Sequence, residues 1–206
     1  MKTIISLCVL SLALAAQAES LPAQKPAPKA MNILDFPQPK KAPEEIYAVI
    51  EIPAGSTTKY ELDAETGFLI ANRFQSMPVV YPANYGTLPS SLAGDMDPLD
   101  ILVYTREPIV PGALIKVRPI GVLRMLDDGK QDDKIIAVPT EKVDPTYAHI
   151  KDLRDLPEIE RERLLAFFTI YKDLPKGRKK VSIQSLDDRK QALVLIKNAL
   201  AEYKKQ

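Results

Sequence analysis

Between residues 46 and 138 the apolar residues come in short runs broken by turn chemistry, not in long periodic stretches. Ile46–Ile52 has the composition of a strand and stops at Pro53. Residues 59–62 resume the pattern, and Asp63-Ala64-Glu65-Thr66-Gly67 reads as a turn before residues 68–70. Residues 101–104, 114–123 and 134–138 predict further strands, with Asp128-Gly129 as a hairpin turn between the last two. Several short strands with regular turns predict a closed or nearly closed antiparallel barrel. Downstream the spacing turns helical. Asp155-Leu156-Pro157-Glu158 offers a cap, an early proline and a carboxylate in the first turn. Ser185 and Asp188 mark a second start, with Lys204 and Lys205 at the far end to suit the helix dipole. Leu186, Leu193, Ile196, Leu200 and Tyr203 then share one face. The expected fold class is mainly β with flanking helices (α+β), a barrel with two main α-helices packed outside.

The N-terminus stands apart from this pattern. Lys2, an apolar run over residues 3–16 and Ala16-Gln17-Ala18 have the order of a signal peptide covering residues 1–18, too short for a comfortable membrane span. Cys8, the sole cysteine, lies inside it, too near the start and without the small residues expected before a lipid-attachment site. The expected mature chain holds no cysteine and no disulfide, is periplasmic or secreted, and keeps no membrane contact after cleavage. Pro22, Pro26, Pro28, Pro37, Pro39 and Pro43 lie among alanines and lysines, so residues 19–45 read as a semi-rigid tether and residues 46–206 as the domain. Without Lys2 the basic and acidic residues balance at 27 each, which speaks against a general nucleic-acid binder.

Charge matters locally instead. Gly94-Asp95-Met96-Asp97-Pro98-Leu99-Asp100 puts three carboxylates at the threshold of a strand, where like charges raise a pKa or recruit a hard cation such as Mg²⁺. An EF-hand is excluded: Leu99 takes the third ligand position, Asp100 replaces the glycine and Arg106 stands where the glutamate belongs. A solvated acidic turn fits this motif alone equally well. A second acidic pair, Asp127 and Asp132, flanks the hairpin turn, and Asp132 shares a strand face with Lys134. Lys59 and Glu61 share another, and Arg73 sits among apolar neighbours. Tyr81 and Tyr85 bracket a turn, and Tyr171-Lys172 closes the first helix. Taken singly, each also fits a surface ion pair or a core tyrosine. His149 is the only histidine, so a His-rich zinc site is poorly supported. No G-x-x-x-x-G-K-[ST] or G-x-G-x-x-G run occurs among the 8 glycines, leaving phosphate to be held by side chains and metal.

Taken in order, Glu51-Ile52-Pro53, Lys59-Tyr60-Glu61, Asn72-Arg73-Phe74, Tyr81-Pro82-Ala83-Asn84-Tyr85-Gly86, the Asp95 to Asp100 motif, Asp127 to Lys134 and Tyr171-Lys172-Asp173 resemble the soluble, Mg²⁺-dependent inorganic pyrophosphatases of the single-barrel family. The resemblance covers roughly residues 46–175. It implies a five-stranded, OB-like closed barrel and hydrolysis of pyrophosphate to two orthophosphates by a metal-activated water. Asp97 matches the general base. Asp95, Asp100, Asp127, Asp132 and Glu61 match ligands of several Mg²⁺ ions, with Mn²⁺ left open as a substitute. Lys59, Arg73, Tyr85, Lys134, Tyr171 and Lys172 match the groups that hold substrate, and Glu51 and Tyr81 match a supporting shell. A homo-oligomer is implied, a hexamer by analogy with bacterial relatives. Met96, Thr87 and the run Arg178-Lys179-Lys180, where a tryptophan commonly follows, depart from the family pattern without removing a matched site residue. Two rival readings stay open, a catalytically silent exported binder of phosphate or metal and a hydrolase of other phosphoanhydrides.

Overall fold

The computed structural model describes residues 31–178 and 180–205, so the expected signal peptide lies outside the described residues. The strands are β1 (Ile46–Ile52), β2 (Thr58–Leu62), β3 (Leu69–Phe74), β4 (Asn84–Thr87), β5 (Asp100–Val103), β6 (Leu114–Asp127), β7 (Lys130–Gln131), β8 (Lys134–Pro139) and β9 (Val181–Asp188). Helices α1 (Glu158–Ile170) and α2 (Arg189–Tyr203) complete the set. Strands β1, β4, β5, β8 and β6 pair in that order, and β6 returns to β1, closing a ring of five strands. One pairing in the ring, β5 with β8, is parallel, where the sequence suggests an antiparallel barrel throughout. The β2–β3 hairpin stands as a separate two-stranded sheet, and β9 extends the sheet along β6.

Alternation explains how thin strands serve two apolar layers. Leu102 and Tyr104, with Ile136 and Val138, pack toward Leu164, Phe167 and Phe168 of α1. Ile101 and Val103, with Ile135 and Ala137, pack toward Ala192, Ile196 and Ala199 of α2. In β6 the parity switches. Pro119 opposes Ala137 and Gly121 opposes Ile136, leaving Ile120 as the extra residue of a β-bulge. Val117 before the bulge and Val122 after it therefore face the α2 layer, while Leu123 and Met125 face the α1 layer.

Turn chemistry sets the connections. Asp128 (φ 56°) and Gly129 (φ 79°) make the tight β6–β7 turn expected of an Asp-Gly pair. Gly86 in β4 is required for another reason: a Cβ there would lie 1.9 Å from the Val49 carbonyl oxygen of β1.

Four expectations are corrected. Residues 84–86, read as part of a turn, lie in β4. The buried Asn84 side chain satisfies the Ala54 and Ile109 amides (3.1 and 2.8 Å) and donates to the Val103 carbonyl (3.1 Å). Residues 181–188 are a strand, so Ser185 does not cap α2; Asp188 does, accepting from the Gln191 amide at 3.1 Å. Leu186 therefore belongs to β9, and the buried stripe of α2 is Ala192, Ile196 and Ala199. Asp155 does not cap α1 either. It accepts from the Lys151 and Asp152 amides (2.8 and 2.9 Å), closing a short 3₁₀ turn before the helix.

The described part of the expected tether, residues 31–45, packs on the domain. Gln38 exchanges hydrogen bonds with the Tyr47 backbone (2.8 and 3.1 Å) and donates to the Pro89 carbonyl at 2.9 Å. The Ser90 amide donates to the Leu34 carbonyl at 2.7 Å, and Tyr203 at the end of α2 donates to Asp35 at 2.5 Å. Proline there limits helix and sheet but not docking, because the contacts are made by side chains and isolated carbonyls.

Candidate active site

At one edge of the ring, the face shared by Leu102, Leu123 and Ile136 continues outward into polar residues. Asp100 opens β5 and Lys134 opens β8, and the parallel register sets them directly opposite. Two residues before Lys134, Asp132 points to the same side. Lys134, only 2 % exposed, forms ion pairs with both Asp100 and Asp132. Burial pulls its ammonium down, but the two carboxylates outweigh burial and hold it above the ordinary lysine value. Asp132 is pushed up by burial and by Asp100, against the pull of Lys134.

The other groups close in from neighbouring elements. The extra residue Glu51 lies in a bulge of β1, between Ile50 and Ile52, and accepts from the Leu62 amide at 2.8 Å. Burial raises its carboxyl to about 8. In the hairpin, Lys59 and Arg73 sit directly across from one another, an unfavourable cross-strand pair of like charges. Glu61 pairs with Lys59 and accepts from Asn72, which in turn accepts from Arg73 at 2.9 Å. Lys172, at the end of α1, pairs with Asp127, and burial outweighs that partner to hold its ammonium below the ordinary value. The rings of Tyr81, Tyr85, Phe167 and Tyr171 form a chain, with centroids 5.6 Å (Tyr81–Tyr85), 4.8 Å (Tyr81–Phe167) and 5.1 Å (Phe167–Tyr171) apart. Burial drives the Tyr81, Tyr85 and Tyr171 phenols upward, so all three keep their protons and can donate.

The acidic loop lies at the rim. Ser91, buried at its base, donates to the Leu88 carbonyl at 2.6 Å and accepts from the Leu99 amide at 2.9 Å. Asp95 and Asp97 are exposed, and Met96 between them has φ 73°, the left-handed region that suits glycine. Partial desolvation, then Asp95 and Asp100, raise the Asp97 carboxyl above its usual range.

All fourteen residues singled out in the sequence line one cavity of about 1070 Å³: Glu51, Lys59, Glu61, Arg73, Tyr81, Tyr85, Asp95, Asp97, Asp100, Asp127, Asp132, Lys134, Tyr171 and Lys172. Among the described residues, however, no three carboxylates stand close enough to ligate one cation. Lys134 lies between Asp100 and Asp132, and Lys172 and Lys59 engage Asp127 and Glu61. The donor set still suits hard cations: it is oxygen-only, and the buried Asp127 Oδ1 has no hydrogen-bond partner. The cavity also contains residues the sequence reading passed over. Arg124 forms ion pairs with Asp133 at 2.5 Å and Asp187 at 3.2 Å, which ties β6 to the residue just before β8 and to β9. The strand period held this signal, because Asp133 must face away from Asp132 and needs a cation on that side.

Comparison with known proteins agrees in extent and in kind. A family model, inorganic pyrophosphatase, matches residues 48–204. An inorganic pyrophosphatase of Aquifex pyrophilus is 49% identical over 175 residues, covering 85% of this chain and 98% of that one. The inorganic pyrophosphatase of Escherichia coli K12 is 48% identical over 149 residues, 72% of this chain and 85% of its own. Among solved structures, the inorganic pyrophosphatase from Thermus thermophilus superposes with a TM-score of 0.80 at 40% identity, covering 84% of this chain and 99% of that chain. The chain, with its closed ring of strands and the cavity at its edge, belongs to the inorganic pyrophosphatase family.

Proposed function

We propose that the chain hydrolyses inorganic pyrophosphate to two orthophosphates, with Asp97 as the general base. The observation that carries this reading is the gathering of nine carboxyl groups, six cations and three protonated phenols around one cavity, with the buried Lys134 among them. Cations paired across a hairpin, as Lys59 and Arg73 are, make sense when a dense anion lies over them.

Asp95, Asp100, Asp127, Asp132 and Glu61 would hold Mg²⁺, which when bound neutralises substrate charge and lowers the pKa of water. Asp97, exposed on the acidic loop at the rim of the cavity, is the carboxylate that takes a proton from the attacking water. The water oxygen bonds to phosphorus as the bridging P–O bond breaks, and no covalent intermediate on the protein is needed. Lys59, Arg73, Lys134 and Lys172 hold the phosphate oxygens as ammonium and guanidinium donors, joined by the Tyr85 and Tyr171 hydroxyls. Glu51 and Tyr81 brace them from behind, Glu51 by fixing the β2 end at Leu62.

Phosphate release from pyrophosphate, measured with Mg²⁺ and with EDTA, tests the reading. Release should require the metal and fall about 10²- to 10⁴-fold in Asp97→Asn. Release indifferent to EDTA or to Asp97→Asn would refute it. We further propose, from the pattern of residues 1–18, that the chain works in the periplasm or outside the cell and supplies phosphate from external pyrophosphate. Cell fractionation should recover a chain beginning at Glu19, and deletion of the gene should slow growth on pyrophosphate as sole phosphorus source. By the same family resemblance the assembly is a homo-hexamer, which sedimentation would report.

A further inference from the structure

Among the described residues, the side-chain polar atoms buried without a hydrogen-bond partner are Thr87 Oγ1, Arg118 Nε, Asp127 Oδ1 and Thr140 Oγ1. Arg118 spends its other nitrogens on the Tyr147 and Ile150 carbonyls, and Thr140 follows β8, outside the lining of the cavity. Thr87 and Asp127 both line the cavity. Asp127 is already a proposed cation ligand, whereas nothing in the proposed chemistry uses Thr87. A buried hydroxyl that bonds to nothing is a net cost to the folded state, so the fold alone does not explain this one.

Thr87 has little freedom to find a partner by moving. Its strand, β4, is paired on both edges, with Thr87 set against Val49 of β1 and Asp100 of β5. The residue is 4 % exposed, and its β-branched side chain has few rotamers to choose from. The Leu88 amide donates to the Leu99 carbonyl at 2.9 Å, which makes that pair a hydrogen-bonded one and Thr87–Asp100 the adjacent non-hydrogen-bonded pair. Side chains come closest in pairs of that kind, on one face of the sheet. The carboxylate opposite the idle hydroxyl is therefore that of Asp100, which is engaged by Lys134.

We propose that Thr87 is a positioning residue for the cation site: its hydroxyl donates to the Asp100 carboxylate when Asp100 leaves Lys134 for a divalent cation. A carboxylate that ligates a cation needs a hydrogen-bond donor behind it to fix its orientation. A hydroxyl suits that task better than an ammonium, because it does not compete with the cation for the negative charge. Thr87 thus has a partner only in the cation-loaded protein, and Lys134 is released from Asp100 to hold phosphate. The inference rests on the reading of Asp100 as a cation ligand, and it gives β4 a part in the site beyond Tyr85.

Titration calorimetry with Mg²⁺ on the full chain, stripped with EDTA and dialysed, tests this without substrate. Thr87→Val keeps the branched shape and removes the hydroxyl, and it should weaken Mg²⁺ binding about 10- to 100-fold. Thr87→Ser restores the hydroxyl and should bind within about threefold of the wild type. Thr140→Val removes an equally idle hydroxyl away from the cavity and should leave Mg²⁺ affinity unchanged. Thermal unfolding separates positioning from packing. In EDTA, Thr87→Val should melt no lower than the wild type, because no bond is lost; at one fixed Mg²⁺ concentration it should gain less. Mg²⁺ affinity of Thr87→Val within about twofold of the wild type would overturn the proposal. So would Thr87→Ser binding as weakly as Thr87→Val, or Thr140→Val weakening binding as much, since either marks a general loosening. A lower Tm for Thr87→Val in EDTA would also overturn it, because the hydroxyl would then have a partner without the cation. If the wild-type chain itself binds no Mg²⁺, the reading of the carboxylates as ligands fails, and this inference with it.

Discussion

Replacing Lys134 by methionine keeps the length of the side chain and removes the charge between Asp100 and Asp132. Lys134 is 2 % exposed, whereas its partners' side chains are 25 % and 19 % exposed, so the two carboxylates retain some water when the ammonium is gone. Removing one member of a buried ion pair costs about 3–5 kcal/mol, and partial solvation of both partners places the expected loss near the lower end, at about 3 kcal/mol. For a chain of this size that corresponds to a fall of roughly 6–12 °C in Tm. The loss should depend on pH in a definite direction. With the lysine absent, Asp132, already raised by burial, loses the cation that pulled it down, so the folded variant takes up a proton there first as pH falls. Its stability therefore rises relative to the wild type from about pH 7.5 toward about pH 5. The wild type keeps its lysine contribution through this range, because the Lys134 pKa is raised and the contribution fades only in strong alkali. Urea unfolding followed by far-ultraviolet circular dichroism in EDTA, at both pH values, reads the gap directly. A second substitution, Asp100→Asn on the methionine background, should recover part of the loss. A gap below about 1 kcal/mol, or one that does not narrow with acid, would refute the view that Lys134 is the counter-ion holding the floor of the cavity together.

Glu51 makes a second pH test, opposite in sense to a salt-bridged carboxylate. Its folded pKa of about 8 lies above the unfolded 4.5, so stability is lost as pH climbs between them, by about 1.4 kcal/mol for each pH unit climbed. Glu51→Gln keeps the bond from the Leu62 amide and should flatten this slope; an unchanged pH profile of Tm would count against it. Met96→Gly should relieve the left-handed strain, worth about 1–2 kcal/mol, against about 0.5–1 kcal/mol of added chain entropy. A rise in Tm of a degree or more is expected, and a clear fall would show that the thioether makes a contact worth more than the strain. Gly86→Ala drives a Cβ to 1.9 Å from the Val49 carbonyl, so strands β1 and β4 must part. The variant should lose roughly 3 kcal/mol or more or fail to fold, and normal urea unfolding would contradict the close approach.

The fold class and the grouping of the candidate-site residues were legible in the sequence, and the pairing and register of the strands were not. Carboxylates and lysines two residues apart on short strands share a face whatever the tertiary structure does, and that was enough to group Asp132 with Lys134 and Lys59 with Glu61. What the sequence did not carry was the partner across the sheet. Nothing local states that Asp100 faces Lys134, because that depends on a parallel register between strands over thirty residues apart. Strand β4 was hidden for a related reason. Pro82, Asn84 and Gly86 are turn residues by habit, yet here Asn84 is buried and uses its amide to stand in for missing backbone partners, and Gly86 is demanded by the neighbouring strand. Strand β9 alternates too weakly to separate from a helix start, since Ser185 and Asp188 mimic capping residues. The prolines before residue 45 say nothing of where the segment goes, and in its described part the carbonyls of Leu34 and Phe36 accept from Ser90.

The bulge at Ile120 works as a change of phase. Upstream of it odd-numbered residues of β6 face the α2 layer, and downstream the even-numbered ones do, so one added residue re-addresses every side chain that follows. Deleting Ile120 would therefore not remove one methyl-rich side chain from the core. It would send Leu123 and Met125 to the wrong layer and swing Asp127 out of the cavity, turning a single-codon loss into a fault along half the strand. Chain length is thus constrained inside β6 in a way that amino-acid type is not, and insertions compatible with this fold belong in its loops.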